Sequence, residues 1–106
     1  MTKATILVIP DVTYVGKRKY TVQHVPTVGR KSQCLMGQLD VNAKIIDIAK
    51  KSSYTGKRYS PKQQRNSYLH ELIHAVLYEM KDDQWRHEAF VTRLANVLQD
   101  ALERGK

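Results

Sequence analysis

The apolar positions of this chain change their period near its midpoint. As far as Ala49 they come in short runs broken by turn residues, and after Pro61 they recur every three or four residues. The runs 5–9, 20–25, 34–39 and 44–49 read as strands, with Pro26 ending the second and residues 40–43 (Asp-Val-Asn-Ala) turning the last two into a hairpin. Beyond them, Ser60-Pro61-Lys62-Gln63 has the signature of a helix start: a capping serine, proline at the first helical position and a glutamine that can reach back. Leu69, Leu72, Ile73, Val76, Leu77 and Met80 then form one apolar stripe. A second helix should follow almost at once, with Asp82 or Asp83 as its cap and Gly105 as its terminator. Its apolar face reads as Val91, Leu94, Leu98 and Ala101, widened by Phe90, Val97 and Leu102. So short a connection makes the two helices antiparallel neighbours.

These elements predict an α+β chain: a small, mainly antiparallel sheet packed on two long helices. At 106 residues, a single domain is expected. The one cysteine, Cys34, excludes an intramolecular disulfide and suits a reducing compartment. No apolar run is long enough for a membrane span, and the first residues lack the charged-then-apolar pattern of a secretory signal. A cytoplasmic protein without membrane contact is therefore expected; the oligomeric state is not encoded in any pattern seen here.

The first helix carries the chemistry. In His70-Glu71-Leu72-Ile73-His74 the two histidines lie four residues apart, one above the other on the same helix face. Two imidazoles so placed can hold one metal ion, and Glu71, one residue round, stands beside the ion as a general base for an attacking water. Zn²⁺ is the ion this donor set suits, since three protein ligands leave a position open. The antiparallel return brings the start of the second helix back toward the histidines. There, His87 and Glu88 are both candidates for the third ligand, and neither periodicity nor ligand chemistry separates them. An ordinary capping or supporting role is the plainer reading of His87. Glu79, Asp82 and Asp83 fit solvated or capping roles better than ligation, and His24 fits the surface of a strand.

The HELIHAV segment at 70–76, followed by EAFVTRLA at 88–95, resembles the small phage and prophage-encoded metallopeptidase-like proteins, which are related to the IrrE/ImmA-type peptidases and the minigluzincins. The resemblance covers roughly residues 35–102. It implies a zincin-like fold, His70 and His74 as zinc ligands, Glu71 as base, Glu88 as third ligand, and hydrolysis of peptide bonds in a protein or peptide substrate. In such proteins a small sheet lies beside the motif helix, and an extended substrate can pair with an edge strand; residues 44–49 are the expected neighbour of that helix. Tyr54, Tyr59, Tyr68 and Tyr78 are candidate donors to the transition state.

Charge adds a rival from another class. Residues 1–65 carry 13 Lys and Arg against 3 acids, net +10; residues 66–106 carry 5 against 7, net −2, which together make the +8 of the chain. The basic residues cluster at 17–19, 30–31, 50–51 and 57–58, and Tyr14, Tyr20, Tyr54 and Tyr59 lie among them. Such a mix can contact phosphates and stack on bases, so a nucleic-acid-binding or regulatory module with a non-catalytic metal site is the alternative.

Overall fold

The computed structural model describes residues 7–29 and 36–103. Cys34, Gly105 and the basic pair at 30–31 lie outside them. Four strands form one sheet: β1 (Val12–Val15), β2 (Arg18–Val25), β3 (Gly37–Asp40) and β4 (Ile45–Ala49), in the order β1-β2-β4-β3. Two helices follow, α1 (Pro61–Glu79) and α2 (Glu88–Glu103), with a single 3₁₀ turn at Asp83–Arg86 between them. No described helix is long and apolar enough to cross a membrane.

Local chemistry accounts for each chain reversal. Val15 pairs with Arg18, so Gly16 and Lys17 are the whole of the first hairpin loop, and Gly16 takes the positive φ (+61°) that its first position demands. In the β3–β4 turn the Asp40 carboxylate accepts from the backbone N–H groups of Asn42 and Ala43 at 3.0 and 2.9 Å. The capping box of α1 is complete. Ser60 Oγ accepts from Gln63 N, while Gln63 Oε1 accepts from Ser60 N. At its other end Lys81 turns left-handed (φ +59°), and the amides of Lys81 and Asp82 return to the carbonyls of Tyr78 and Leu77. That pair of bonds is a Schellman close, with lysine where glycine is usual.

The sheet is mixed. β3–β4 is the expected antiparallel hairpin and β1–β2 is antiparallel too, but the central β2–β4 pair is parallel, with Thr21 opposite Ile45 and Val25 opposite Ala49. A run of β3 and its hairpin lies between these two strands in sequence, so the hairpin folds back with its second strand inside and β3 at the edge. The described part of the expected first strand, residues 7–9, is not in the sheet; Leu7 and Ile9 pack on the core as irregular chain. In its place stands β1, whose residues carried no strand expectation.

Val15, Tyr20, Val22, Ile46 and Ile48 point from the sheet into the core, where they meet Tyr68, Leu69, Ile73 and Ala75 of α1 and Val91 and Ala95 of α2. α1 lies between the sheet and α2 and is therefore buried on two sides. Its buried set runs Ser67, Tyr68, Leu69, Glu71, Ile73, His74, Ala75, which is wider than the single expected stripe; Val76 and Met80 from that stripe are 36 % and 67 % exposed. On α2 the buried line is Val91, Ala95 and Gln99; of the expected face Val91 is buried and Phe90 and Leu98 are half-buried, while Leu94, Val97, Ala101 and Leu102 face outward. This line follows from polar contacts between the helices. Asn66 donates to Asn96 and Gln99, Gln99 donates to the Lys62 carbonyl, and Arg65 forms a two-point ion pair with Glu103 at 2.7 and 3.2 Å. Gln99 must turn inward to make these bonds, and the helix rotates with it.

Candidate metal centre

His70 and His74 leave α1 on its border between sheet and second helix. At the far end of the connection, α2 begins with Glu88, and its carboxylate reaches both histidines. Oε1 lies 2.9 Å from His70 Nε2 and Oε2 lies 3.0 Å from His74 Nε2, while the two Nε2 atoms are 3.1 Å apart. One ligand atom from each of the three residues falls within 4.8 Å of the other two. A tetrahedral ion with bonds of about 2.0–2.1 Å holds its ligand atoms roughly 3.3 Å apart, and the separations of 2.9–3.1 Å among the two nitrogens and the two carboxylate oxygens are of that order.

Proton bookkeeping at His74 supplies a second test of fit. Its Nδ1 faces the carbonyl of Trp85. A carbonyl can only accept, so Nδ1 carries a proton. In the neutral ring Nε2 is then a bare lone pair, aimed at a carboxylate oxygen 3.0 Å away. Either a proton or a metal ion between the two atoms satisfies both, so the pair is built to hold a cation. The carbonyl also fixes the ring's orientation, as outer partners of metal-binding histidines commonly do. Burial pushes the His70 ring below the usual histidine pKa, against the pull of the Glu88 carboxylate, which favours the neutral ring that a metal needs.

Glu71 faces the same cleft. It is 8 % exposed, and burial, helped by the nearby Glu88 charge, pushes its carboxyl up to about 8. Among the described residues no donor or cation pairs with it. The edge strand comes close here: a Cβ added at Gly37 would stand 3.2 Å from Glu71 Cγ and 3.2 Å from the Asp47 carbonyl. Glycine lets β3 approach the carboxylate without displacing it. The cleft, of about 480 Å³, is lined by Met36 to Leu39 of the β3 segment on one side and by residues of α1, the 3₁₀ turn and α2 on the others. The strand bordering the site is thus β3, while β4 lies under α1 in the middle of the sheet, the neighbour of that helix that residues 44–49 were expected to be.

His87 does not join the cluster. Its Nδ1 accepts from the Phe90 amide at 3.0 Å, which caps α2, and so the plainer reading of this residue is the one the geometry supports. Asp82 caps the 3₁₀ turn through Gln84 N at 2.8 Å rather than α2. Glu79 is engaged elsewhere, accepting from Tyr20 Oη at 2.5 Å and pairing with Lys44 at 3.2 Å. None of the four candidate tyrosines lines the cleft: Tyr68 is in the core, Tyr54 is exposed, and Tyr78 stacks edge-on against Trp85 in a neighbouring cleft. His24 lies exposed on β2. Trp85 and Arg86, which sequence reasoning did not single out, do line the site. Trp85 acts through its backbone carbonyl, for which no residue-type pattern exists; a clue was the short span between the two helices, all of which must lie near the histidines.

Compared with models of known protein families, with curated proteins and with solved structures, the chain has no significant match.

Proposed function

We propose that the protein is a zinc-dependent peptidase of zincin-like architecture, with His70, His74 and Glu88 as the metal-holding residues and Glu71 as the general base. The observation that carries this reading is the convergence of His70 Nε2, His74 Nε2 and the Glu88 carboxylate at the mouth of one cleft, with Glu71 beside them. When bound, zinc supplies Lewis acidity toward a carbonyl oxygen and acidity to a water. Each protein group has a matching task. Glu71, buried in the same cleft beside the histidine pair, is placed to accept a proton from a water and to return it to a leaving amine. The Trp85 carbonyl keeps His74 in one tautomer. Gly37 keeps the edge strand against Glu71, and the free edge of β3 offers backbone groups to an extended peptide. The likeness of residues 70–76 and 88–95 to the small phage-type metallopeptidases supports the same assignment.

The alternative, a nucleic-acid-binding module with a structural metal, draws less support. A structural zinc site has no use for a buried carboxylate like Glu71 beside three ligands. The basic residues at 17–19 and 50–51 also lie at opposite ends of the sheet, since β2 begins at the first cluster and the parallel β4 ends at the second.

The test is Glu71→Gln on the purified chain. One equivalent of zinc should be retained, because no ligand is removed, while hydrolysis of a peptide library should vanish, because the amide accepts no proton. Turnover by this variant would remove Glu71 from its role. A wild-type chain that binds no stoichiometric zinc would sink the whole reading.

A further inference from the structure

Arg86 is the one fixed cation among the described residues that line the cleft, where it stands with two carboxylates, Glu71 and Glu88. Neither of these, nor any other described carboxylate, is within ion-pair distance of it. Its guanidinium lies over the Trp85 ring, Cζ 4.7 Å from the centroid. A guanidinium placed over a ring in this way still has N–H groups to donate, and no described carboxylate takes them. The backbone beneath is pinned at both sides. Asp82 caps the 3₁₀ turn through Gln84 N, and the carbonyl of Trp85, the residue before Arg86, is bonded to His74. The turn thereby sets Arg86 on the rim of the cleft, beside the histidine pair. A solubilising surface arginine needs neither the stacking nor the tether. A guanidinium with N–H groups to donate is the group that binds a carboxylate through two parallel hydrogen bonds.

We propose that Arg86 determines the specificity of this cleft by binding a carboxylate of the incoming peptide, either an Asp or Glu side chain or the free C-terminus. The peptide nature of the ligand rests on the function proposed above; the carboxylate preference rests on Arg86 alone. The net charge of +8 draws acidic ligands to the whole molecule, and Arg86 turns that attraction into a choice at one position.

Peptide selection without cleavage tests this directly. The zinc-loaded Glu71→Gln chain is equilibrated with a synthetic peptide library prepared in two forms, one with free C-terminal acids and one with C-terminal amides, and retained peptides are identified by mass spectrometry. Carboxylate-bearing peptides should be enriched about 10- to 100-fold over their amide counterparts, the range expected of a charge-assisted pair. Adding Arg86→Gln should abolish the enrichment with zinc content unchanged. Adding Lys57→Gln instead, which removes the same charge from an exposed residue outside the cleft, should leave it intact. Enrichment of free acids over amides assigns the C-terminal carboxylate; enrichment of Asp or Glu in both forms assigns a side chain. No enrichment, enrichment that survives Arg86→Gln, or equal loss with Lys57→Gln overturns the proposal. Cleavage by the chain with Glu71 intact is read separately: selection without cleavage would refute hydrolysis and keep Arg86, while cleavage without selection would do the reverse.

Discussion

His87 and Glu88 are adjacent in sequence and do different work. The one caps α2 and the other turns into the cleft, so their variants should fail in different ways. Glu88→Ala should lower zinc affinity far more than His87→Ala, measured by competition with a chelating dye. His87→Ala should instead cost about 1 kcal/mol of stability, a loss that His87→Asn restores because asparagine caps as well or better. A larger zinc loss in His87→Ala would transfer the ligand role. Glu71 makes a prediction about pH. Its folded pKa, about 8, lies above its unfolded value of 4.5, so the folded chain holds this proton more tightly. In the metal-free protein its favourable contribution is complete below about pH 4.5 and is lost as pH rises toward 8, at up to about 1.4 kcal/mol per pH unit. Thermal melts of wild type and Glu71→Gln between pH 5 and 8 should diverge in that direction; parallel curves would contradict it. The histidine pair and Glu71 were legible in the sequence because their spacing is a statement about one helix. The choice between residues 87 and 88 was not, because two neighbours at a helix start differ in direction only once the cap is known.

Among the elements, α1 was legible from its caps and β4 from its apolar run, whereas β1 and the orientation of α2 were not. β1 is four residues long with only Val15 buried, too short to show a period. α2 carries more apolar residues than its partner covers, and the amide bonds of Gln99 decide which of them turn inward. The parallel β2–β4 pair was missed because an antiparallel hairpin, β3–β4, fills the stretch that would otherwise connect neighbours. Two element-level changes should have opposite effects. Lys81 occupies the left-handed position that closes α1, so Lys81→Gly should stabilise the chain by about 0.5–1 kcal/mol in denaturant melts. A neutral or negative effect would mean that the lysine side chain compensates for its backbone. Gly37→Ala should destabilise by about 1–3 kcal/mol, since the new methyl meets the Asp47 carbonyl as well as Glu71. It should also lower turnover more than zinc content; unchanged activity would show that β3 can retreat from Glu71 at no cost.

At the scale of the whole molecule, stability is unevenly spread. The sheet and the middle of α1 share one apolar core, while the histidines lie at its border and His74 bonds to a four-residue 3₁₀ turn with no buried residue of its own. That turn is held by few bonds: Gln84 N to the Asp82 carboxylate, Trp85 N to the Asp82 carbonyl, His87 N to the Gln84 carbonyl, and the Trp85 carbonyl to His74. Segments so lightly tied open on their own, well below the free energy of global unfolding. Opening this one releases the carbonyl that orients His74 and frees the start of α2, which carries Glu88. With a metal held there as proposed, its release and local opening would be a single event, and by mass action an ion at 100 times its Kd would suppress that opening by about 2.7 kcal/mol. Zinc should therefore slow amide hydrogen exchange at Trp85 and His87 by about 100-fold, with much less change in the amides of β2 when those exchange only through their own fluctuations. The bound ion would act as a clasp on the softest part of the fold, so a protease that samples brief openings should cut the metal-free chain first between the two helices.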